Sequence, residues 1–475
     1  MPLSPALVLP LRLLSSASLR RRVRNELAAL WQLAWPILVG QLANVGMSVA
    51  AVAMAGHASA LDLAGVSLGV SIWHIITITL IGVMMSVSPT VAHLVGAGAY
   101  GQVPQVVRQA LWKALAVGLL ALGVALLASS VFDHLGMAPD VRDMARDFVR
   151  VSSLGLPAFA AYRALYGYSA SLGQTKPLMM IALGSLALNI LLNALLVFGA
   201  LGLPRLGGLG CAWATVASVW FNLLALLLWI RLAPAYRRTW PFDRWEWPLA
   251  APILRLLRLG LPIGVTYFAE TSAFSLIALL VARFGTTQVA AHQIALNFAS
   301  MSFMVPMSIG VALLTRVGQS LGAGDPRDAR FRAWVGVAAA LFFALVSAVG
   351  MALFNRQIAA AYTNDPVVAA LAAHLLLFAA LFQLSDASQV ATSCAIRGYK
   401  ITRAPMVIHM TAFWGFSLPL GCVLGLAPAW LPWVPAQPMG AQGFWIALVV
   451  GLLVASIALQ ELLRRIARRH LLVRH

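Results

Sequence analysis

The segment 263-IGVTYFAETSAFSLIALLVA-282 is apolar apart from a few hydroxyls and one carboxylate, Glu270. The nearest basic residues are Arg258, twelve positions before the acid, and Arg283, thirteen after it. At about 1.5 Å per helical residue, Glu270 therefore lies roughly 18 to 20 Å from either charged end. Such a helix crosses the roughly 30 Å hydrocarbon layer of a bilayer and carries the acid near its centre. An acid at that depth is costly, so the segment predicts a membrane fold and a candidate functional site together.

The rest of the chain agrees with this reading. Of 475 residues, 61% are hydrophobic and 10% charged, and the mean hydropathy of +0.87 excludes an ordinary soluble domain. Twelve apolar runs, from 28–56 to 441–463 and including 145–171 as the fourth, read as transmembrane helices; the alternating pattern of a β-barrel is not seen. The fold class is an all-α polytopic membrane protein. The net charge of +19 is explained by topology. With both termini cytoplasmic, most of the 33 Lys and Arg fall in tails or loops on that side, among them Arg20, Arg21, Arg22, Arg24, Arg237, Arg238, Arg464 and Arg465. Arg163 is the one basic residue placed within a span. No basic domain stands outside the membrane to bind nucleic acid. Cys211, Cys394 and Cys422 are far apart within spans and indicate neither disulfides nor zinc.

Sliding the chain against itself by 226 positions brings Pro36 onto Pro262 and Val95-Gly96-Ala97-Gly98 onto Leu321-Gly322-Ala323-Gly324. Each copy holds six spans, and an even number returns the chain to the same side, so the copies form a parallel repeat about an axis along the membrane normal. The organisation follows: a cytoplasmic tail at 1–27, an N-lobe at 28–233, a cytoplasmic linker at 234–253, a C-lobe at 254–464 and a cytoplasmic tail at 465–475. Two lobes with a cleft between them suit alternating access, hence a carrier.

Only fourteen Asp and Glu occur, and two fall inside spans: Glu270 and Asp386. Asp386 lies eleven residues before Arg397, about 16 Å from that helix end, in the polar stretch 381-LFQLSDASQV-390. In a shared cavity the pair takes up H+ or coordinates Na+, and its charge also attracts a cationic substrate. Competition for common carboxylates is the minimal basis of antiport. Gln293, Asn297 and Ser300 share one face of the eighth span, with Tyr267 and Thr266 one turn from Glu270. Asn189 and Asn193, and Gln41 and Asn44, are the polar candidates of the N-lobe; interhelical hydrogen bonding is the ordinary use of all these side chains. An intramembrane enzyme is not assembled. 65-GVSLG-69 lies in a span instead of at a strand-to-helix turn, 96-GAGAYG-101 follows a membrane helix, and no His pair forms a metal motif.

The segments 35-WPILVGQLANVGMSVAAVAMAG-56, 260-GLPIGVTYFAE-270, 291-AHQIALNF-298 and 396-IRGYKITR-403 resemble the multidrug and toxic compound extrusion (MATE) family, in particular its NorM-like bacterial branch. The resemblance implies twelve helices in two six-helix lobes forming a V. It also implies a monomeric antiporter in the bacterial inner membrane that exports organic cations and drugs against inward Na+ or H+, with no cofactor. Glu270 and Asp386 match the family's coupling acids of the seventh and tenth helices, and would ligate Na+ in a sodium-coupled member; Gln293 and Asn297 match polar positions near them. Two positions depart: Ala51 stands where many members have a first-helix aspartate, and Phe382 where NorM-like proteins can have tyrosine. A second reading, a lipid-linked precursor flippase of related architecture, calls for a basic cavity for pyrophosphate, and Arg163 is the only intramembrane arginine the sequence offers for it.

Overall fold

The computed structural model describes residues 17–134, 136–199, 202, 204–427 and 437–472. Residues 1–16 and 473–475 of the expected tails lie outside them. Among the described residues there is no strand, and eleven helical stretches are long and apolar enough to cross a membrane. The N-lobe comprises α1 (Ala17–Ala58), α2 (Ala60–Met84) continued by α3 (Val87–Gly96), α4 (Val103–Ser129), α5 (Pro139–Ser153) with α6 (Leu156–Ser171), α7 (Thr175–Phe198) and α8 (Gly208–Leu232). The C-lobe comprises α9 (Ala250–Val281), α10 (Thr286–Gly322), α11 (Pro326–Tyr362), α12 (Pro366–Gly398), α13 (Arg403–Met410) continued through a π-helical Thr411–Ser417 into α14 (Leu418–Leu426), and α15 (Ala441–Leu472). The result is a twelve-crossing bundle in two lobes of six.

The fourth crossing, expected as one span over 145–171, is divided at Leu154 and Gly155. Two causes are visible. Pro157 has no N–H to continue the ladder, and α5 is too charged for hydrocarbon, its Arg142 and Arg146 reaching Asp133 at 3.7 and 3.4 Å.

The linker is pinned to the N-lobe. Arg108 of α4 donates to Glu246 and Asp243, both at 2.7 Å, and Trp112 donates to the Glu246 carbonyl at 2.9 Å.

Contacts between lobes follow the repeat. α1 packs on α10, and its counterpart α9 packs on α2; α3 packs on its own counterpart α10. A Cβ on Gly96 would overlap the Gln319 carbonyl oxygen, and one on Gly322 would overlap that of His93, so the backbones meet where only glycine fits. His93 and Gln319 are themselves 226 apart (319 − 93). His93 Nε2 lies 2.7 Å from the Gly398 carbonyl and Gln319 Nε2 donates to the Ser171 carbonyl at 3.0 Å. A shared core joins Leu30, Ile37 and Met85 of one lobe to Ile263, Leu313 and Val390 of the other. All these contacts lie in the half of the bundle nearer the termini; among the described residues no hydrogen bond or ion pair joins the lobes at the opposite end. The cleft is therefore closed on the side of the termini.

Candidate functional site

The polar stretch read from the sequence lies on α12, which starts on a strong cap: Asp365 accepts from Val367 N at 2.8 Å, and Pro366 occupies the first turn. Beyond its apolar first half, α12 buries every residue from Ser385 to Gly398. Asp386, 5% exposed, accepts a hydrogen bond from Gln389 Nε2 at 2.9 Å. The amide oxygen of Gln389 faces His409 Nε2, and His409 Nδ1 lies 2.7 Å from the Pro405 carbonyl. Asp386 is thus the end of a buried polar chain running into α13.

Glu270 stands on α9, partly exposed. One turn earlier, Tyr267 accepts from Arg397 Nη1 at 3.1 Å, with the guanidinium 5.1 Å from its ring centroid. Both side chains touch Met85 Sδ of the N-lobe, at 3.8 and 3.5 Å. Tyr267 and Arg397 therefore belong to the seal between lobes, and Glu270 sits one turn beyond it towards the open end. Glu270 on α9 and Asp386 on α12 are joined by no hydrogen bond among the described residues; the link between their helices is Arg397, eleven residues after Asp386, which donates to Tyr267. Trp414, in the π-helical segment, donates to the Ala269 carbonyl at 3.0 Å and ties the eleventh crossing to α9 beside the acid. Single π-turns recur at functional sites because the inserted residue redirects a side chain.

Other candidates are placed differently. Phe382 is buried between Phe274 and Trp445, ring centroids 6.0 and 5.7 Å away, as a packing wedge. Gln293 and Asn297 are exposed; Asn297 accepts from Tyr362 OH at 3.2 Å, and no hydrogen bond links either to the acids among the described residues. In the N-lobe, Asn193 donates to Asn189 at 2.9 Å and Asn189 to Ser218 at 3.1 Å, a buried ladder between α7 and α8. Gln41 and Asn44 line a small recess with Tyr162, Arg163 and Tyr166. Ala51 is buried.

The sequence places only Arg163 as an intramembrane base, and the structure corrects this. Arg397 is buried at the end of α12, and Lys113 is fully buried in α4, donating to the Val83 carbonyl at 3.1 Å and Ser86 Oγ at 2.8 Å. Lys113 thereby satisfies backbone freed where α2 breaks into α3. Both residues lie near ends of their runs, where a base reads as a topology signal. Gln389 and His409 were also missed. An amide and an imidazole in apolar runs carry no charge to mark them, although Gln389 does fall one turn after Asp386.

The MatE family profile matches residues 36–195 and 262–423, two segments starting 226 apart (262 − 36), on the repeat-related prolines. Among curated relatives, the chain is 46% identical over 450 residues to multidrug resistance protein PmpM of Pseudomonas aeruginosa, covering 94% of this chain and 93% of that one. It is 42% identical to a probable multidrug resistance protein NorM of Chromobacterium violaceum, covering 95% and 96%, and 38% identical to NorM of Vibrio cholerae, covering 93% and 95%. Among solved structures, the eukaryotic MATE transporter AtDTX14 superposes with a TM-score of 0.84 at 20% identity, covering 94% of this chain and 98% of that chain. A MATE in the bent conformation does so with a TM-score of 0.84 at 18% identity, covering 94% and 96%.

Proposed function

The chain belongs to the MATE family, whose members are membrane transporters and not enzymes, and from that premise we propose that it exports organic cations and drugs in exchange for inward Na+ or H+. The observation that carries this reading is the pairing of Glu270 and Asp386. They are two mid-span carboxyls of one lobe, Glu270 partly open and Asp386 buried and hydrogen-bonded, in a sequence otherwise almost free of intramembrane acid. Burying such groups costs a few kcal/mol each, which is offset when they bind ions. A coupling ion that neutralises the pair removes the charge that holds a cationic cargo, so the two ligands compete. Their unequal preference for the two lobe arrangements drives exchange.

With the termini cytoplasmic in a bacterial inner membrane, as the distribution of Lys and Arg favours, the closed side is the cytoplasmic one. The cleft then opens outward, the arrangement from which cargo leaves and the coupling ion enters.

The test is ethidium or fluoroquinolone efflux in cells, with Na+ jumps and pH jumps applied separately, for wild type, Glu270→Gln and Asp386→Asn. Each substitution is expected to lower gradient-driven efflux by at least about tenfold, the scale of a coupling free energy between linked sites. Whichever jump drives the wild type identifies the coupling ion. Full gradient-driven efflux by both variants rejects the coupling assignment.

A further inference from the structure

Among the described residues Arg163 has no acidic partner. It lies in α6, eight residues before the helix end at Ser171 (171 − 163), about 12 Å along the axis, further than an arginine side chain extends to reach the interface. No carboxylate forms an ion pair with it among the described residues, and its Nε is buried without a hydrogen-bond partner. Its guanidinium instead lies 4.4 Å from the ring centroid of Tyr166, a contact that partly offsets the missing anion.

The surroundings form a narrow polar recess of about 10 Å³. α6 packs on α3, α4 and α8, and the Arg163 side of it meets α1 and α7. Gln41 and Asn44 of α1 and Tyr162 and Tyr166 of α6 line the same recess. Asn44 spends its amide on the Gly40 carbonyl of its own helix at 3.0 Å. An uncompensated cation beside amide and phenol groups at membrane depth is complementary to an anion. A guanidinium, with its planar fork of donors, fits a carboxylate best.

We propose that Arg163, together with Gln41 and Tyr162, forms an N-lobe subsite for the carboxylate of zwitterionic cargo, whose ammonium end is drawn to the acids of the C-lobe. This rests on the drug-export reading and extends it. In this arrangement the carboxylate of a zwitterion meets Arg163 of the N-lobe and its ammonium meets Glu270 and Asp386 of the C-lobe, so a compound bearing both signs engages both lobes. A purely cationic compound engages one.

The test uses purified full-length protein in detergent and three ligands: a fluoroquinolone with free carboxylate and piperazine ammonium, its methyl ester, and ethidium. The wild type is expected to bind the free acid more tightly than the ester. Arg163→Gln should weaken the free acid by at least about tenfold, the loss typical of one charge-assisted hydrogen-bonded pair, and leave ester and ethidium within about twofold. Arg163→Lys, which keeps the charge but not the fork, should fall between. Equal wild-type affinity for acid and ester, or an equal loss for all three ligands in Arg163→Gln, overturns the subsite. A wild type that binds none of the three overturns the export reading beneath it, whereas normal ethidium binding with an unchanged free acid in Arg163→Gln removes the subsite alone.

Discussion

Gln389 holds Asp386 with one end of its amide and His409 with the other, so a change at this residue is felt at the acid without removing it. Gln389→Leu keeps the volume approximately but leaves a buried carboxyl without its donor. The expected cost is about 1–3 kcal/mol of stability, read as a lowered thermal unfolding midpoint in detergent. In an Asp386→Asn background the same substitution should cost much less, because the charge to be satisfied is gone. Equal losses in both backgrounds would mean that Gln389 acts through packing and its contact with His409 and not through the acid. At this scale the sequence was legible wherever a side chain breaks the chemistry of its surroundings. Glu270 and Asp386 stood out because an ionised group in oil is costly. Arg397 and Lys113 did not, since a base near a span end has an ordinary explanation, and His409 and Gln389 had no charge to betray them. Nothing in the sequence told that Phe382 would wedge between Phe274 and Trp445, since an aromatic residue in a membrane helix suits lipid and core equally.

Helices meet between the lobes on glycine, and this sets a prediction for elements. Gly96 of α3 and Gly322 of α10 face each other's crossing at backbone distance, and a methyl on either overlaps a carbonyl oxygen that cannot rotate away. Gly96→Ala and Gly322→Ala should each destabilise by about 1–3 kcal/mol, the cost of overpacking, and should do so to a similar extent because the repeat relates them. Gly123→Ala, within α4 and with open space around its Cβ position, is the control; there alanine is expected to be neutral or stabilising through helix propensity. Thermal unfolding of the three proteins decides it, and Gly96→Ala behaving like Gly123→Ala would remove the close approach. The repeat that places these glycines was readable as a 226-residue offset because both copies keep the same landmarks. The division of the fourth crossing and the π-helical Thr411–Ser417 were not readable. Apolar content measures whether a run can enter lipid, and it is insensitive to where the ladder shifts register by one residue.

For the whole molecule, the question is what holds the cleft closed on one side. The packed core there is joined by ion pairs across the lobes. Glu26 of α1, 7% exposed, pairs with Arg316 of α10 and lies 3.6 Å from Arg332 of α11. Arg22 reaches Asp328 at 2.8 Å, but Arg22 is 53% exposed, so solvent and salt screen that pair and it contributes little. Glu26 is the member to test, because removing one partner of a buried pair leaves the other charge uncompensated. Under the proposed alternating access these pairs break each time the cleft reopens towards the termini, so they weight the equilibrium between the two lobe arrangements. Glu26→Gln should shift that equilibrium towards the arrangement open on the side of the termini by about 1–3 kcal/mol, roughly 5–150-fold in the population ratio. Spin labels on the two lobes at that end should report a longer distance component that the wild type lacks, whereas Arg22→Gln should leave the distribution nearly unchanged. If Glu26→Gln shows the wild-type distribution, the apolar core around Met85 and Ile263 closes the cleft unaided, and the ion pairs only decorate its rim.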